Sequence, residues 1–271
     1  MLELPEVLTL SRQLDKELKG RTIASAGRGN SPHKFAFFKP SDEEVAALLA
    51  HKTVDAVRGD GKCIFFDLRP RAVFCIAEMD GRILFHAKGA PLPPRYQLLI
   101  SFADGTALTA TVGLWGFFGA GDATAPLLVS QTNTIDPLGS EFTLARLHKL
   151  FAEYPKPNHP IKAFLINRPR LRGFGNGYMQ EMLFRAGILP TRKVASIEKE
   201  ERQRLHRAIR GVLAEATKKS GSADTCDIYG QPGGYVKAVG AKVKSCTICR
   251  TPIAKKSFLG GATYFCPRCQ R

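Results

Sequence analysis

The sequence predicts an α+β, multi-domain protein: a leading helix, a β-rich N-terminal half, a helical stretch and a small cysteine module. Three observations carry this. Short β-rich runs punctuated by Asp-Gly pairs fill the chain between Asp60 and Val112. Helical periodicity takes over from Thr143. Four of the seven cysteines fall in the last 26 residues at regular spacing. A chain of 271 residues, 44% apolar and 24% charged, is long enough for two domains or one large one.

Leu4 to Lys19 reads as a helix. Pro5 suits a first turn, Val7, Leu10, Leu14 and Leu18 recur at helical spacing, and Gly20 closes the segment. "KCIFFDL", "RAVFCIAEM", "RILFHA", "YQLLISF" and "TALTATV" then read as strands, with Asp60-Gly61, Asp80-Gly81 and Asp104-Gly105 as turns. Together they predict a β-sandwich or a barrel-like domain. "GAGDATAP" near residue 120 reads as a loop or linker. "LARLHKLFAEY", "IKAFLIN", "GYMQEMLFRAG" and "KEERQRLHRAIRGVLAEATKK" read as helices, and residues 220–245 as loop.

The formal net charge is +16, with Lys and Arg concentrated in Lys156–Arg210 and Lys237–Arg271. Such a field attracts polyanions, nucleic acid above all. No apolar run reaches 18 residues and the N-terminus lacks a signal-peptide pattern, so a soluble intracellular protein is expected. An odd cysteine count, with Cys63, Cys75 and Cys226 scattered, argues against a disulfide framework.

The most specific motif is Cys246-x2-Cys249-x16-Cys266-x2-Cys269. Two such knuckles turn four thiolates onto one tetrahedral ion, so one structural Zn2+ is expected. Four thiolates leave no open position for hydrolysis. The intervening "RTPIAKKSFLGGATYF" suggests a β-hairpin, and Lys255, Lys256 and Arg268 suit it to phosphate.

Three further stretches each support two readings. Gly173, Gly175 and Gly177 precede an amphipathic helix with Asn176 at its start. Either the backbone N–H groups and Asn176 bind phosphate, or Asn176 caps the helix and the glycines only turn the chain. Lys162, Arg168, Arg170 and Arg172 upstream favour phosphate. Lys62 opens a strand after a turn, as a surface lysine or as a cation on a shared face. At the N-terminus, Glu3 and Glu6 either complement the first helix dipole or serve chemistry at the α-amine. A free α-amine titrates near pH about 8, so near neutrality it is partly a nucleophile capable of Schiff-base formation, with a carboxylate at hand to move protons.

Taken in order, "ELPEV", the "GK" that opens a strand, "GFGNGYMQEMLFRAGILP" and "CTIC…YFCPRCQ" resemble the formamidopyrimidine-DNA glycosylase / endonuclease VIII family over the full chain. The resemblance implies an N-terminal β-sandwich over 1–125, a helix–two-turns–helix domain over 126–225, and a lid loop with a C-terminal zinc finger over 226–271. It implies a monomer that acts on double-stranded DNA containing damaged bases or abasic sites, in the bacterial cytoplasm with the nucleoid. The function implied is base-excision glycosylase, with abasic-site lyase chemistry at the N-terminal amine. By the same resemblance, the residue-2 amine (here Leu2) attacks the sugar, Glu3 is the catalytic glutamate, and Glu6 supports it. Lys62, Lys162 and Asn176 contact phosphate, and Met79 fills the gap left by a flipped base. "SGSADTCDIYGQPGGYV", residues 220–236, becomes the lid over that base.

Four positions depart from the family pattern. Leu2 replaces the proline, and leucine does not favour removal of Met1. Retention of Met1 would move the amine by up to about 3.6 Å. Gly261 replaces the finger arginine, with Lys255 or Lys256 as substitutes in charge but not in bidentate geometry. "TVGLWGFFG" replaces the Arg-Phe wedge, leaving Leu114, Trp115 or Phe117 as apolar candidates, with Trp115 equally readable as a core aromatic. Val239-Gly240-Ala241 replaces Tyr-Gly-Arg. The chain is similar to an endonuclease VIII-like bacterial branch that starts Met-Leu/Ile-Glu and carries "NSPHKF", here residues 30–35. Two alternatives remain: a damaged-DNA-binding protein without catalysis, and a glycosylase that uses Glu3-activated water.

Overall fold

A computed structural model describes residues 1–122, 134–166, 171–173 and 175–271. The chain forms two compact units. One comprises Met1–Thr132 with Lys219–Gly234, the other Asn133–Lys218 with Tyr235–Arg271.

In the first unit, α1 (Leu4–Leu18) starts at Glu3, which is its N-cap. The Glu3 carboxylate accepts from the Glu6 N–H, and the Glu6 carboxylate accepts from the Glu3 N–H. This reciprocal capping box satisfies two of the N–H groups that a helix start leaves open, at about 1 kcal/mol for the cap. Val7, Leu10, Leu14 and Leu18 are all buried, as their spacing predicts. The helix lies on β3 (Thr53–Asp60) so closely that a Cβ at Gly59 would come within 2.8 Å of Val7 and Ser11 side-chain atoms.

The strands form two sheets. One has the order β2 (Ala36–Lys39), β9 (Gly116–Gly121), β5 (Ala72–Ala77), β4 (Cys63–Arg69), β3. It is antiparallel except for the β2–β9 pair. The other runs β1 (Ile23–Arg28), β7 (Leu98–Phe102), β8 (Ala107–Val112), β6 (Gly81–His86). Apolar residues from both sheets and α1 share one core, including Ile64, Phe74, Ile76, Ile83, Ile100 and Leu108. The expected β-sandwich is therefore present, and all five quoted β-rich runs are strands. Asp60 pairs with Cys63 across the two-residue loop Gly61-Lys62. Asp80-Gly81 instead carries the chain from one sheet to the other. Gly81 has φ +153, and a Cβ there would lie 1.8 Å from the Thr111 carbonyl oxygen, so no other residue fits. A second helix, α2 (Asp42–Leu49), is capped by Ser41, which accepts from the Glu44 N–H.

The second unit holds α3 (Leu144–Ala152), α4 (Ile161–Ile166), α5 (Asn176–Ala186) and α6 (Lys199–Lys218), each where the helical patterns place it. A hairpin of β10 (Ala254–Ser257) and β11 (Ala262–Phe265) pairs Ala254 with Phe265 and Ser257 with Ala262. Gln180 on α5 fastens this hairpin: its carbonyl accepts from the Tyr264 N–H at 2.6 Å. Buried Glu181 accepts from the N–H groups of Ala238 and Val239, holding the chain before the finger against α5. Burial raises the Glu181 pKa, although those N–H groups and Arg185 oppose the shift. Among the described residues, no helix is long and apolar enough to cross a membrane.

Candidate functional site

The first unit gathers its reactive groups around the N-terminus. The Met1 α-amine forms an ion pair with Asp80, the first residue of the sheet-to-sheet crossing. Leu2 is the residue on which the resemblance places the attacking amine. Its nitrogen is an amide that donates to the Met79 carbonyl at 2.7 Å, and its side chain is 3% exposed within the sandwich core. With Met1 in place the Leu2 nitrogen is a bonded amide, and the α-amine beside Asp80 is that of Met1. Lys62, on the loop between β3 and β4, sets its ammonium 3.9 Å from the Met1 sulfur and 3.9 Å from the Glu78 carboxylate. Glu3 is buried at the start of α1, two residues from the amine.

Glu6 has a second task. Its Oε1 accepts from the Ser222 N–H at 2.8 Å and from the Thr225 hydroxyl at 3.5 Å. This draws the Lys219–Gly234 segment onto α1. Gln13 adds a bond to Asp227 at 2.9 Å, and the Tyr229 hydroxyl donates to Glu17 at 2.7 Å. That segment forms one wall of an open pocket of about 400 Å³. Met1, Asp80, Gly81 and Arg82 line one side, and Ala223 to Cys226, Gly230 and Pro232 the other. The amine and its carboxylate thus border a chamber of small-ligand size.

Two residues named for the flipped base and the wedge differ in exposure. Met79 is wholly buried in the sandwich core. Trp115 is not a core aromatic: it is 42% exposed, and its neighbour Leu114 is 74% exposed. Phe117 is partly buried against Cys63 and Cys75.

In the second unit, Asn176 is exposed at the first residue of α5, after the N-cap Gly175. A Cβ at Gly261 would lie 3.0 Å from the Asn176 amide nitrogen, so the position that lacks the finger arginine adjoins the asparagine. Lys162 behaves differently from the phosphate contact expected of it. It is fully buried and donates to the Phe258 carbonyl and to the Thr263 hydroxyl at 2.9 Å. It braces α4 against the finger hairpin, and burial lowers its pKa. Lys255, Lys256 and Arg268 are exposed, with Lys256 lying 5.5 Å over the Phe258 ring. Arg172 lies 4.0 Å from the Asp136 carboxylate, whereas Arg168 and Arg170 fall outside the described residues.

The sulfurs of Cys246, Cys249, Cys266 and Cys269 all lie within 4.8 Å of one another, with Cys246–Cys269 at 3.8 Å and Cys249–Cys266 at 3.5 Å. Ligand bonds of about 2.3 Å at tetrahedral angles require sulfurs about 3.8 Å apart, so the set fits a tetrahedral ion. The N–H of Ile248 points at the Cys246 sulfur and that of Cys269 at the Cys266 sulfur, which suits thiolates. These four cysteines can hold a metal ion.

Two family descriptions match the sequence. The formamidopyrimidine-DNA glycosylase N-terminal domain covers residues 1–111, and the formamidopyrimidine-DNA glycosylase H2TH domain covers residues 134–226. The chain belongs to the formamidopyrimidine-DNA glycosylase family. Formamidopyrimidine-DNA glycosylases of Cytobacillus firmus and Geobacillus kaustophilus are each 33% identical to it over the whole of both chains. Among solved structures, Lactococcus lactis Fpg in complex with DNA containing an abasic site superposes with TM-score 0.84 at 26% identity, covering 99% of each chain. MutM (Fpg) from Thermus thermophilus gives 0.82 at 26%, covering 99% of this chain and 98% of that one.

Within this glycosylase frame, sequence reasoning missed Asp80 and Arg82 in the cavity wall and Gln180 and Glu181 behind the finger. Asp80-Gly81 carried only its turn signal. Nothing local marks a carboxylate as the partner of an amine 79 positions away.

Proposed function

We propose that the chain is a DNA base-excision glycosylase whose nucleophile is the Met1 amine. One observation carries the reading: in a member of this family, a free amine is held by a carboxylate at the edge of a 400 Å³ cavity, with Glu3 buried alongside in sequence. Asp80 accepts a proton from the ammonium, and the freed lone pair bonds to the sugar C1′. The base departs with the electrons of its C1′–N bond and a proton. Glu3 moves the protons that open the sugar and yield an imine. From the imine, loss of a proton at C2′ eliminates the 3′ phosphate, which is the lyase step. The lesion class we infer is an oxidised base; Lactococcus lactis Fpg has been solved with Fapy-dG DNA at 26% identity.

Phosphate contacts in this reading come from Lys62, Asn176, Lys255 and Lys256. Leu114 and Trp115 present the apolar surface that the buried Met79 does not. Cys246, Cys249, Cys266 and Cys269 hold one zinc ion, which shapes the finger and takes no part in bond breaking.

The test is borohydride trapping on duplex DNA containing an abasic site, with the intact mass of the protein measured alongside. A covalent adduct on a chain that retains Met1 is the expected result. Base release without an adduct would assign the chemistry to water activated by Glu3. Duplex binding with neither product would leave a damaged-DNA-binding protein and remove catalysis.

A second expectation concerns the finger. A side chain at Gly261 meets only the movable end of Asn176. Gly261→Arg should therefore fold, add one phosphate contact beside Asn176, and steepen the salt dependence of binding by about one unit of slope. Titrations at several salt concentrations read this directly; an unchanged slope would place Gly261 away from the DNA backbone.

A further inference from the structure

Four aromatic rings stand in a row on the surface of the first unit. Phe37 lies 4.6 Å from Trp115, Phe35 lies 6.4 Å from Trp115 at 28° between planes, and His33 meets Phe35 edge-on at 6.1 Å. Phe35, Phe37 and Trp115 are 39%, 38% and 42% exposed. A single exposed aromatic needs no explanation, but three in contact form a patch.

The local structure fixes this row. Strand periodicity sends Phe38 inward, onto Phe118 at 4.9 Å, and leaves its neighbour Phe37 outside. The parallel β2–β9 pairing places Phe37 opposite Phe117, and the Gly116 N–H donates to the Phe35 carbonyl at 3.0 Å. The rings are thus mounted on paired backbone. Charge accompanies them: the Lys34 ammonium lies 4.7 Å over the Phe35 ring, and Lys39 ends β2. Between Phe37 and Phe35, the Trp115 carbonyl accepts from the Asp80 N–H at 2.8 Å. The row is therefore tied by backbone to the residue that pairs with the Met1 amine.

We propose that this ledge is a stacking platform for unpaired nucleobases, which lie on Phe37, Trp115 and Phe35 while Lys34 meets the phosphodiester strand. Every base offers a π-face, so ring platforms beside cations bind single strands with little sequence preference. A protein with formal charge +16 favours that polyanion over a neutral partner. The inference rests on the glycosylase reading only in taking DNA as the ligand. Its binding needs no excision chemistry and extends past the Leu114–Trp115 edge to rings supplied by residues 33–37.

Trp115 is the only tryptophan in the chain, so emission excited at wavelengths that the six tyrosines do not absorb reports on the ledge. Oligothymidylate is expected to quench it saturably, and an undamaged, fully paired duplex of equal length to quench it less. Phe37→Leu and Phe35→Leu should each weaken oligothymidylate binding about tenfold, and the milder Lys34→Glu should weaken it and flatten its salt dependence. Circular dichroism of each variant verifies folding. Emission unchanged at oligothymidylate concentrations that saturate anisotropy would overturn the proposal. So would leucine variants of undiminished affinity, or a concentration-dependent blue shift without DNA, which would assign the ledge to a second copy of the chain. Quenching by a chain that releases no base supports the ledge and removes the glycosylase reading. Excision by a chain whose emission oligothymidylate leaves unchanged removes the ledge alone.

Discussion

A Glu3→Gln chain is expected to bind duplex DNA as before and to lose base release by about 10²- to 10⁴-fold, the usual contribution of a positioned proton-transfer group. The structure makes this substitution unusually clean. Glu3 is the N-cap of α1, and its side-chain oxygen accepts from the Glu6 N–H. A glutamine keeps an acceptor oxygen for that bond, so the helix start survives while the titrating carboxylate goes. Alanine would remove the cap as well, at about 1 kcal/mol, and confuse the two effects. Single-turnover release of an oxidised base from a duplex, with affinity measured by anisotropy and stability by thermal melting, separates them. Release within about an order of magnitude of the unmodified chain would remove Glu3 from the mechanism.

The second large effect is expected from the cysteine cluster. Removing zinc with a chelator, or changing Cys266 to Ser, should abolish ordered finger structure. The β10–β11 hairpin has two strands of four residues each, and an isolated hairpin of that size is at best marginal in water. In such modules the free energy of metal binding is the free energy of folding. The damage should also reach the helices. Lys162 is buried on α4, and its two acceptors, Phe258 and Thr263, belong to the hairpin segment. Without them α4 loses its tie to the finger. Metal analysis, duplex affinity and the helical melting transition should therefore all change together. A metal-stripped chain that kept its affinity and its melting temperature would show that the cysteines contribute no structure.

How far these sites were legible in advance depended on whether their signals are local. The α1 stripe, the strands between Asp-Gly turns and the cysteine spacing are patterns within a few residues, and the structure follows each. Helix α2 had a local signal too, the Ser41-x-x-Glu44 capping box, but lay among β-rich runs that drew the reading away from it. Lys162 was beyond local reading. A lysine is buried only when acceptors arrive, and its acceptors lie 96 and 101 positions further along the chain. The burial of Met79 was equally beyond local reading, because its side chain turns into a core built from both sheets. The Glu6 bond to Ser222 spans 216 positions and decides where the Lys219–Gly234 segment goes. Only the assembled fold shows that this segment joins the sandwich while the residues just after it join the helices.

That discontinuity bears on the order in which the protein is made. A ribosome delivers the terminal amine first and the Ser222 wall only after helices α2 to α6 have emerged. Until then the pocket beside the amine lacks that wall, and a reactive nitrogen meets solvent rather than a confined sugar. The pocket is completed late in synthesis, so a prematurely terminated chain would carry the reagent without the vessel.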